Sequence, residues 1–371
     1  MKNKKNIIFF LPNFSEGGAG KSILTICNSL SHERYNIIII CLGRCYYKNK
    51  FNKKTKVYEL NINKTIFSFN LITKILKKNF NKENTIFISN MNYANVLSCI
   101  YIKLILNYKL LLIERTPLKE LTTYYGINDY FKKKIIYFLM KILYRFSDLV
   151  ILNSKYTLMK FKNEIKCKSI SIYSPAIDVV KKNNMLKIKS FQKRDFLKIL
   201  SIGRLSIEKR FDLLINSMKF LNKKKTKLNI IGNGPELLKL RQLIKKNKLQ
   251  NIIKIKKFDK DYKKYFKKFD IFVSTSDFEG FPNIVVEALN SNKLVLSRDS
   301  GGGIHNILSN EKFGKIIDTE NPKIIANEIV NLHKKYKKFY LNNKSLKRKL
   351  QNFTTEIIVA QFDKIFSNNK I

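Results

Sequence analysis

The stretch DIFVSTSDFEGFPNIVVEALNSNKLVLSRDSGGG, Asp270 to Gly303, decides how this chain folds. An apolar run is followed by a polar loop holding Glu279-Gly280-Phe281-Pro282-Asn283. Apolar positions at helical spacing come next, with Glu287 among them. A second apolar run then ends in three glycines. Strand, helix, strand and glycine loop make a βαβ unit, which implies parallel neighbours. Asn283 reads as the N-cap of the helix. Glu279 lies in the loop and Glu287 about one turn inside the helix, so two carboxylates can flank one ligand. The helix start offers N–H groups to a phosphate.

The same alternation runs outward in both directions. Upstream, NIIFFL, YNIIIICLG, TIFIS, KLLLIER, LVILNS and SISIYSP read as strands. A second series, FLKILSIGRL, KLNIIGNG, IIKIKKF, DIFVSTS, KLVLSRD and GKIID, follows. Helical patterns such as RFDLLINSMKFL and ELLKLRQLIKKNKL separate them. The series breaks between about Ala176 and Lys193, where VVKKNNMLKIKSFQKRD is polar and aperiodic, as a linker is. We expect an N-terminal Rossmann-like domain over 1–180 and a C-terminal one over 181–345. A terminal helix within 346–371 is expected to return to the first domain. Two such domains would face a cleft, with ligands outside the carboxyl ends of the strands.

Three further loops follow apolar strands. SEGGAGKS (Ser15–Ser22) precedes an amphipathic stretch. Its tail matches a Walker loop but its first position is Ser15 rather than Gly. Gly17 and Gly18 bring backbone close to a ligand at a helix N-terminus, or simply make a tight turn. In SIGRLSIEKRFDLLI, Arg204 and Lys209 follow a strand, two cations of the kind a diphosphate needs. In NIIGNGPELLKL a helix is expected from Pro235, with Glu236 in its first turn.

Taken in order, these segments resemble the retaining GT-B glycosyltransferases of family four. The resemblance rests on GGAGKSILTICNSL, SDLVILNSKYT, SIYSPAID, GRLSIEKRFDLLI, IIGNGPE, KFD and EGFPNIVVE, over residues 7 to 335. It implies that Arg204 and Lys209 hold the diphosphate of a nucleotide sugar and that Glu287 binds ribose hydroxyls. Glu279 would contact the donor sugar, and backbone amides of Gly280, Phe281, Pro282, Asn283 and Ile284 would line phosphate and sugar. Gly17 and Gly18 would close on the donor from the first domain, and Phe258 would lie near the base. The implied reaction needs no carboxylate nucleophile and no metal. The Asp259-Lys260-Asp261 triplet is therefore discounted as a metal motif. Two departures stand out. His305 or Asn306 occupies the place where many relatives carry Glu. LLLIERTPL offers Arg115 and Thr116, candidates for acceptor contact, where some branches have His; a structural ion pair is the other reading of Arg115.

Composition narrows the partners. Lys and Arg total 73 against 27 Asp and Glu, a formal charge of +46. Part of this excess belongs with the abundance of Asn and Ile, all read from A/T-rich codons; the remainder attracts anionic surfaces. A nucleic-acid reader would use more Arg, so no nucleic acid is expected as a partner. Five scattered cysteines suggest free thiols in a reducing compartment, and three distant histidines suggest no zinc site. No signal peptide and no span of about 18 uncharged apolar residues is found. YFKKKIIYFLMKILYRF (Tyr130–Phe146) reads either as a helix lying on anionic lipid or as one packing its apolar face into the core.

The expectation is a retaining glycosyltransferase of hexosyl type. It would use a UDP- or GDP-linked sugar and a saccharide or lipid-linked acceptor, for polysaccharide, lipopolysaccharide or capsule. It would be cytoplasmic and peripheral on the inner face of the membrane. A P-loop-like NTPase and a basic nucleic-acid-binding protein are the alternatives.

Overall fold

The computed structural model describes residues 4–14, 17–181, 196–259, 261–334 and 343–368. Ser15 and Glu16 of the first glycine loop, most of the expected linker and Lys260 lie outside them. The chain divides into two compact units, residues 1–178 with 353–371, and residues 179–352.

The first unit runs β1 (Lys5–Phe10), α1 (Gly18–Ser29), β2 (Tyr35–Cys41), β3 (Lys56–Glu59), α2 (Thr65–Asn79), β4 (Thr85–Asn90) and α3 (Asn92–Ser98). It continues with β5 (Lys109–Glu114), α4 (Lys119–Thr122), α5 (Ile127–Leu143), β6 (Leu149–Leu152), α6 (Lys155–Glu164) and β7 (Ser169–Ser171). Its parallel sheet has the order β3-β2-β1-β4-β5-β6-β7. Strands covered on both faces read as unbroken apolar runs, and β1, β2 and β4 to β6 do. Alternate residues then serve opposite cores. Ile7, Phe9, Ile37, Ile39 and Ile88 point to one. Ile8, Phe10, Ile38, Ile40 and Phe87 point to the other, which α2, α3 and α5 cover. β3, KVYE, has no such run and is not legible from periodicity. It is an edge strand set by its register on β2, Ile38 against Lys56.

The second unit runs β8 (Leu197–Ile202), α7 (Phe211–Ser217), β9 (Thr226–Ile231), α8 (Leu237–Lys246), β10 (Ile253–Lys256), β11 (Ile271–Ser274) and α9 (Asn283–Asn290). β12 (Leu294–Arg298), α10 (Ile304–Leu308), β13 (Lys315–Ile317), α11 (Pro322–Lys334) and α12 (Asn343–Gln351) complete it. The sheet order is β10-β9-β8-β11-β12-β13. Two helix starts are corrected. α8 begins at Leu237 rather than Pro235, because the Glu236 N–H is tied to the Leu205 carbonyl in a turn, 2.9 Å away. α9 begins at Asn283 with Pro282 as its cap residue, so Asn283 is inside the helix and does not cap it.

The stretch read as one terminal helix is two, α12 and α13 (Thr355–Ser367). The chain leaves the helical path at Phe353, whose carbonyl accepts from the Ala176 and Ile177 N–H groups at 3.1 and 3.3 Å. Residues 346–352 therefore stay with the second unit. α13 packs on the first sheet beside α1. Phe366 meets Phe9 and Tyr35 edge-on, with ring centroids 6.4 and 6.0 Å apart. Asp363 accepts from Arg34 at 2.9 Å and from the Tyr35 hydroxyl at 2.8 Å. All five cysteines are free thiols. Among the described residues no helix is long and apolar enough to cross a membrane.

Candidate functional site

In the second sheet the strand order reverses between β8 and β11, which are neighbours with their next strands on opposite sides. Loops leaving such a switch point diverge and leave room for a ligand. The loop after β8 carries Arg204 and Lys209, and the loop after β11 carries Glu279.

Ion pairs lock these two loops together. Arg210 has the left-handed φ of 47° that a non-glycine residue seldom adopts. Its guanidinium holds Asp212, Asp277 and Glu320 at 3.2 to 3.3 Å. Arg298 at the end of β12 also binds Asp277, and reaches Glu320 at 2.6 Å. The Thr275 hydroxyl donates to the carbonyls of Lys209 and Arg210 at 3.1 and 2.8 Å, and the Asp277 N–H to Glu208 at 2.8 Å. The result brings the Lys209 ammonium onto the Glu279 carboxylate, which also accepts from Ser276 at 2.9 Å. Arg204 lies exposed in the same loop, with no side-chain partner among the described residues.

The loop after β12 braces this arrangement from behind. Glu279 N–H donates to Ser300 at 3.1 Å and Gly303 N–H to Gly280 at 2.7 Å. At Gly302 a Cβ would lie 1.7 Å from the Glu279 carbonyl oxygen, so only glycine permits this approach. Phe281 and Pro282 are buried; Asn283 and Ile284 open α9 half-buried. The Asn283 side-chain oxygen is buried with no hydrogen-bond partner among the described residues. His305 faces Asp299 at 3.0 Å.

Glu287, buried on α9, is held by a different partner from Glu279. Its two carboxylate oxygens take the Tyr262 hydroxyl at 2.8 and 2.7 Å. The Tyr262 ring lies 5.0 Å from that of Phe258, whose N–H donates to Asn233 at 3.3 Å. Tyr262 was missed in the sequence because it stands in a Lys-rich run with no periodicity. Its spacing of four from Phe258 was the available signal.

The first sheet has its own switch point, between β1 and β4. Gly17 and Gly18 follow β1, exposed, and a Cβ on either would meet nothing within 4 Å, so packing does not demand glycine there. Arg115 follows β5. Its guanidinium donates to Asn90 at 3.0 and 2.9 Å and to the Ser22 hydroxyl at 3.2 Å. No carboxylate pairs with it among the described residues. Burial pulls its pKa down to about 10. Thr116 is half-buried beside it. Glu114, one residue earlier, points into the apolar core, where it accepts from Tyr144 and from Asn95 at 2.7 Å. Burial pushes its carboxyl up to about 7. Among the described residues no group of three or more His, Cys, Asp or Glu side chains could hold a metal ion.

Comparison with known proteins agrees with this architecture. Residues 183–348 match the family described as glycosyl transferases group 1. A Campylobacter jejuni protein is 30% identical over 197 residues, 53% of each chain. It is named N-acetylgalactosamine-N,N'-diacetylbacillosaminyl-diphospho-undecaprenol 4-alpha-N-acetylgalactosaminyltransferase. The matched stretch spans about half the length, or less, of the first curated relatives. Among solved structures, Anabaena HepE in complex with UDP and glucose superposes with a TM-score of 0.78 at 19% identity, covering 98% of this chain and 100% of that one. Sucrose-phosphate synthase of Thermosynechococcus elongatus gives 0.79 at 13% identity and 98% of both chains. These likenesses establish the fold, two parallel-sheet α/β units of the GT-B type.

Proposed function

We propose, from the match of residues 183–348 to the family described as glycosyl transferases group 1, that the chain moves a sugar from a nucleotide to a saccharide acceptor. The observation that carries this reading is the contact of Lys209 with Glu279 at the switch point of the second sheet, with Arg204 free to turn toward a ligand.

Glycosyl transfer leaves a new negative charge on the departing nucleotide. Arg204 and Lys209 neutralise it, aided by the N–H groups of Gly280, Phe281 and Ile284, while Pro282 has none and lines the site by its ring; fixed charges of this kind are worth several kcal/mol. Glu279, held by Ser276 and Lys209, accepts from hydroxyls of the donor sugar. Glu287, oriented by Tyr262, accepts from the ribose, and Phe258 lies on the base side. Gly17 and Gly18 present backbone N–H groups to the donor from α1. The departing phosphate takes the acceptor's proton, so transfer retains configuration with no carboxylate nucleophile. The donor is a UDP- or GDP-linked hexose or N-acetylhexosamine, and no metal is required.

Arg115 and Thr116 meet the acceptor. A half-buried guanidinium whose partners among the described residues are neutral suits an anionic group, and the Campylobacter relative's name specifies a diphospho-undecaprenol acceptor. We therefore read the acceptor as lipid-linked or a growing surface polysaccharide, met at the cytoplasmic face of a membrane. The P-loop alternative is disfavoured because the Ser22 hydroxyl, which should serve a magnesium ion, is taken by Arg115.

Calorimetry with UDP, GDP and ADP in the presence of a chelator tests the reading, followed by a donor panel scored by released nucleotide. Binding of one nucleotide without metal is expected. Arg204→Ala and Glu287→Ala should abolish it, and Lys21→Ala should not. Metal-dependent hydrolysis lost in Lys21→Ala would refute the proposal.

A further inference from the structure

Helix α5 carries apolar residues on two faces. Ile136 and Met140 are buried in the sheet core, and Tyr137, Leu139 and Leu143 pack half-buried against it. Ile127, Phe131, Ile135 and Phe138 are 76%, 59%, 59% and 63% exposed, and Ile142 is exposed as well. Spacings of three and four put these on one outward stripe of a helix about 25 Å long. Lys134 and Lys141 lie along one side of it and Lys132 along the other, all exposed. Lys141 also pairs with Glu164 at 3.4 Å. Tyr130 stacks edge-on against Tyr124 and Phe131. On the same side of the sheet α2 leaves Phe67 exposed.

Water is a poor solvent for such a stripe, so something apolar covers it. We propose that α5 is an interfacial anchor: its stripe enters the acyl region of an anionic lipid leaflet while its lysines stay at the headgroup phosphates. Apolar residues beneath two basic flanks match the layered chemistry of that interface. A second copy of this chain is the poorer occupant, since each carries a formal +46. The inference rests on the membrane-side reading above but is tested apart from catalysis.

The chain contains no Trp, so Phe138→Trp is a single fluorophore. Its emission should shift to the blue with equimolar phosphatidylglycerol–phosphatidylcholine vesicles at about 0.1 M salt, and not with phosphatidylcholine alone. Phe220→Trp, exposed on the second unit, should not shift. In flotation assays Phe131→Asp/Phe138→Asp should lose binding to anionic vesicles by roughly tenfold or more, while its melting temperature and its turnover of a soluble acceptor stay as in the wild type. Unchanged emission of Phe138→Trp, or unchanged flotation of the double variant, would overturn the anchor and leave glycosyl transfer standing. A fall from dimer to monomer mass with unchanged flotation would overturn it in favour of a second copy.

Discussion

The Tyr262 hydroxyl lies within 2.8 Å of both carboxylate oxygens of Glu287. Tyr262 comes from a short 3-10 segment, Tyr262–Lys268, and Glu287 from the middle of α9, so only the folded unit joins them. A buried carboxylate needs such a donor. We expect Tyr262→Phe to destabilise the protein by about 1–3 kcal/mol and to weaken nucleotide binding by roughly tenfold. Calorimetry and thermal melting read the two effects. Unaltered nucleotide affinity would remove Tyr262 from the site.

Arg115 makes a different prediction because its partners are neutral. A half-buried cation with no carboxylate beside it among the described residues gains little stability from its surroundings. Arg115→Met should leave the melting temperature unchanged or raise it, while KM for the acceptor rises and nucleotide binding holds. A marked loss of stability would make Arg115 a structural residue instead.

Glu114 links stability to pH. Its folded pKa is raised from 4.5 to about 7, chiefly by burial, against the hydrogen bonds from Tyr144 and Asn95. The native state therefore holds a proton that the unfolded chain releases between these values. The stabilising contribution is complete below about pH 4.5 and is lost as pH rises through 7. The difference corresponds to on the order of 3 kcal/mol. Denaturant titrations from pH 5 to 8 should show Glu114→Gln losing less stability than wild type over that range. Parallel curves would place the carboxyl's titration elsewhere.

Gly302 supports Glu279 through backbone alone. Gly302→Ala should push the 279–281 loop away, destabilise by about 1–3 kcal/mol, and lower kcat more than it raises the melting deficit would suggest. An alanine variant with full activity would show that the loop adapts.

The apolar runs of β1, β2, β11 and β12 were legible because parallel strands buried on both faces leave little room for polar residues. The loop EGFPNIVVE stood out through its likeness to a family signature, since either glutamate alone reads as an ordinary loop or helix residue. β3 was not, since an edge strand lacks that signature. The break between α12 and α13 was not legible either, since it depends on where Phe353 meets Ala176. Periodicity in α5 announced two faces but could not say which one the sheet would take.

From its residues alone the chain determined two parallel α/β units and the loops that carry chemistry, because burial on both sheet faces and helix starts after strands are local demands. Tertiary structure decided which side chains meet: Lys209 with Glu279, Tyr262 with Glu287, and Arg115 with Asn90 and Ser22. Those meetings join residues 25 to 93 positions apart, and only strand order, which no local pattern encodes, brings them within reach.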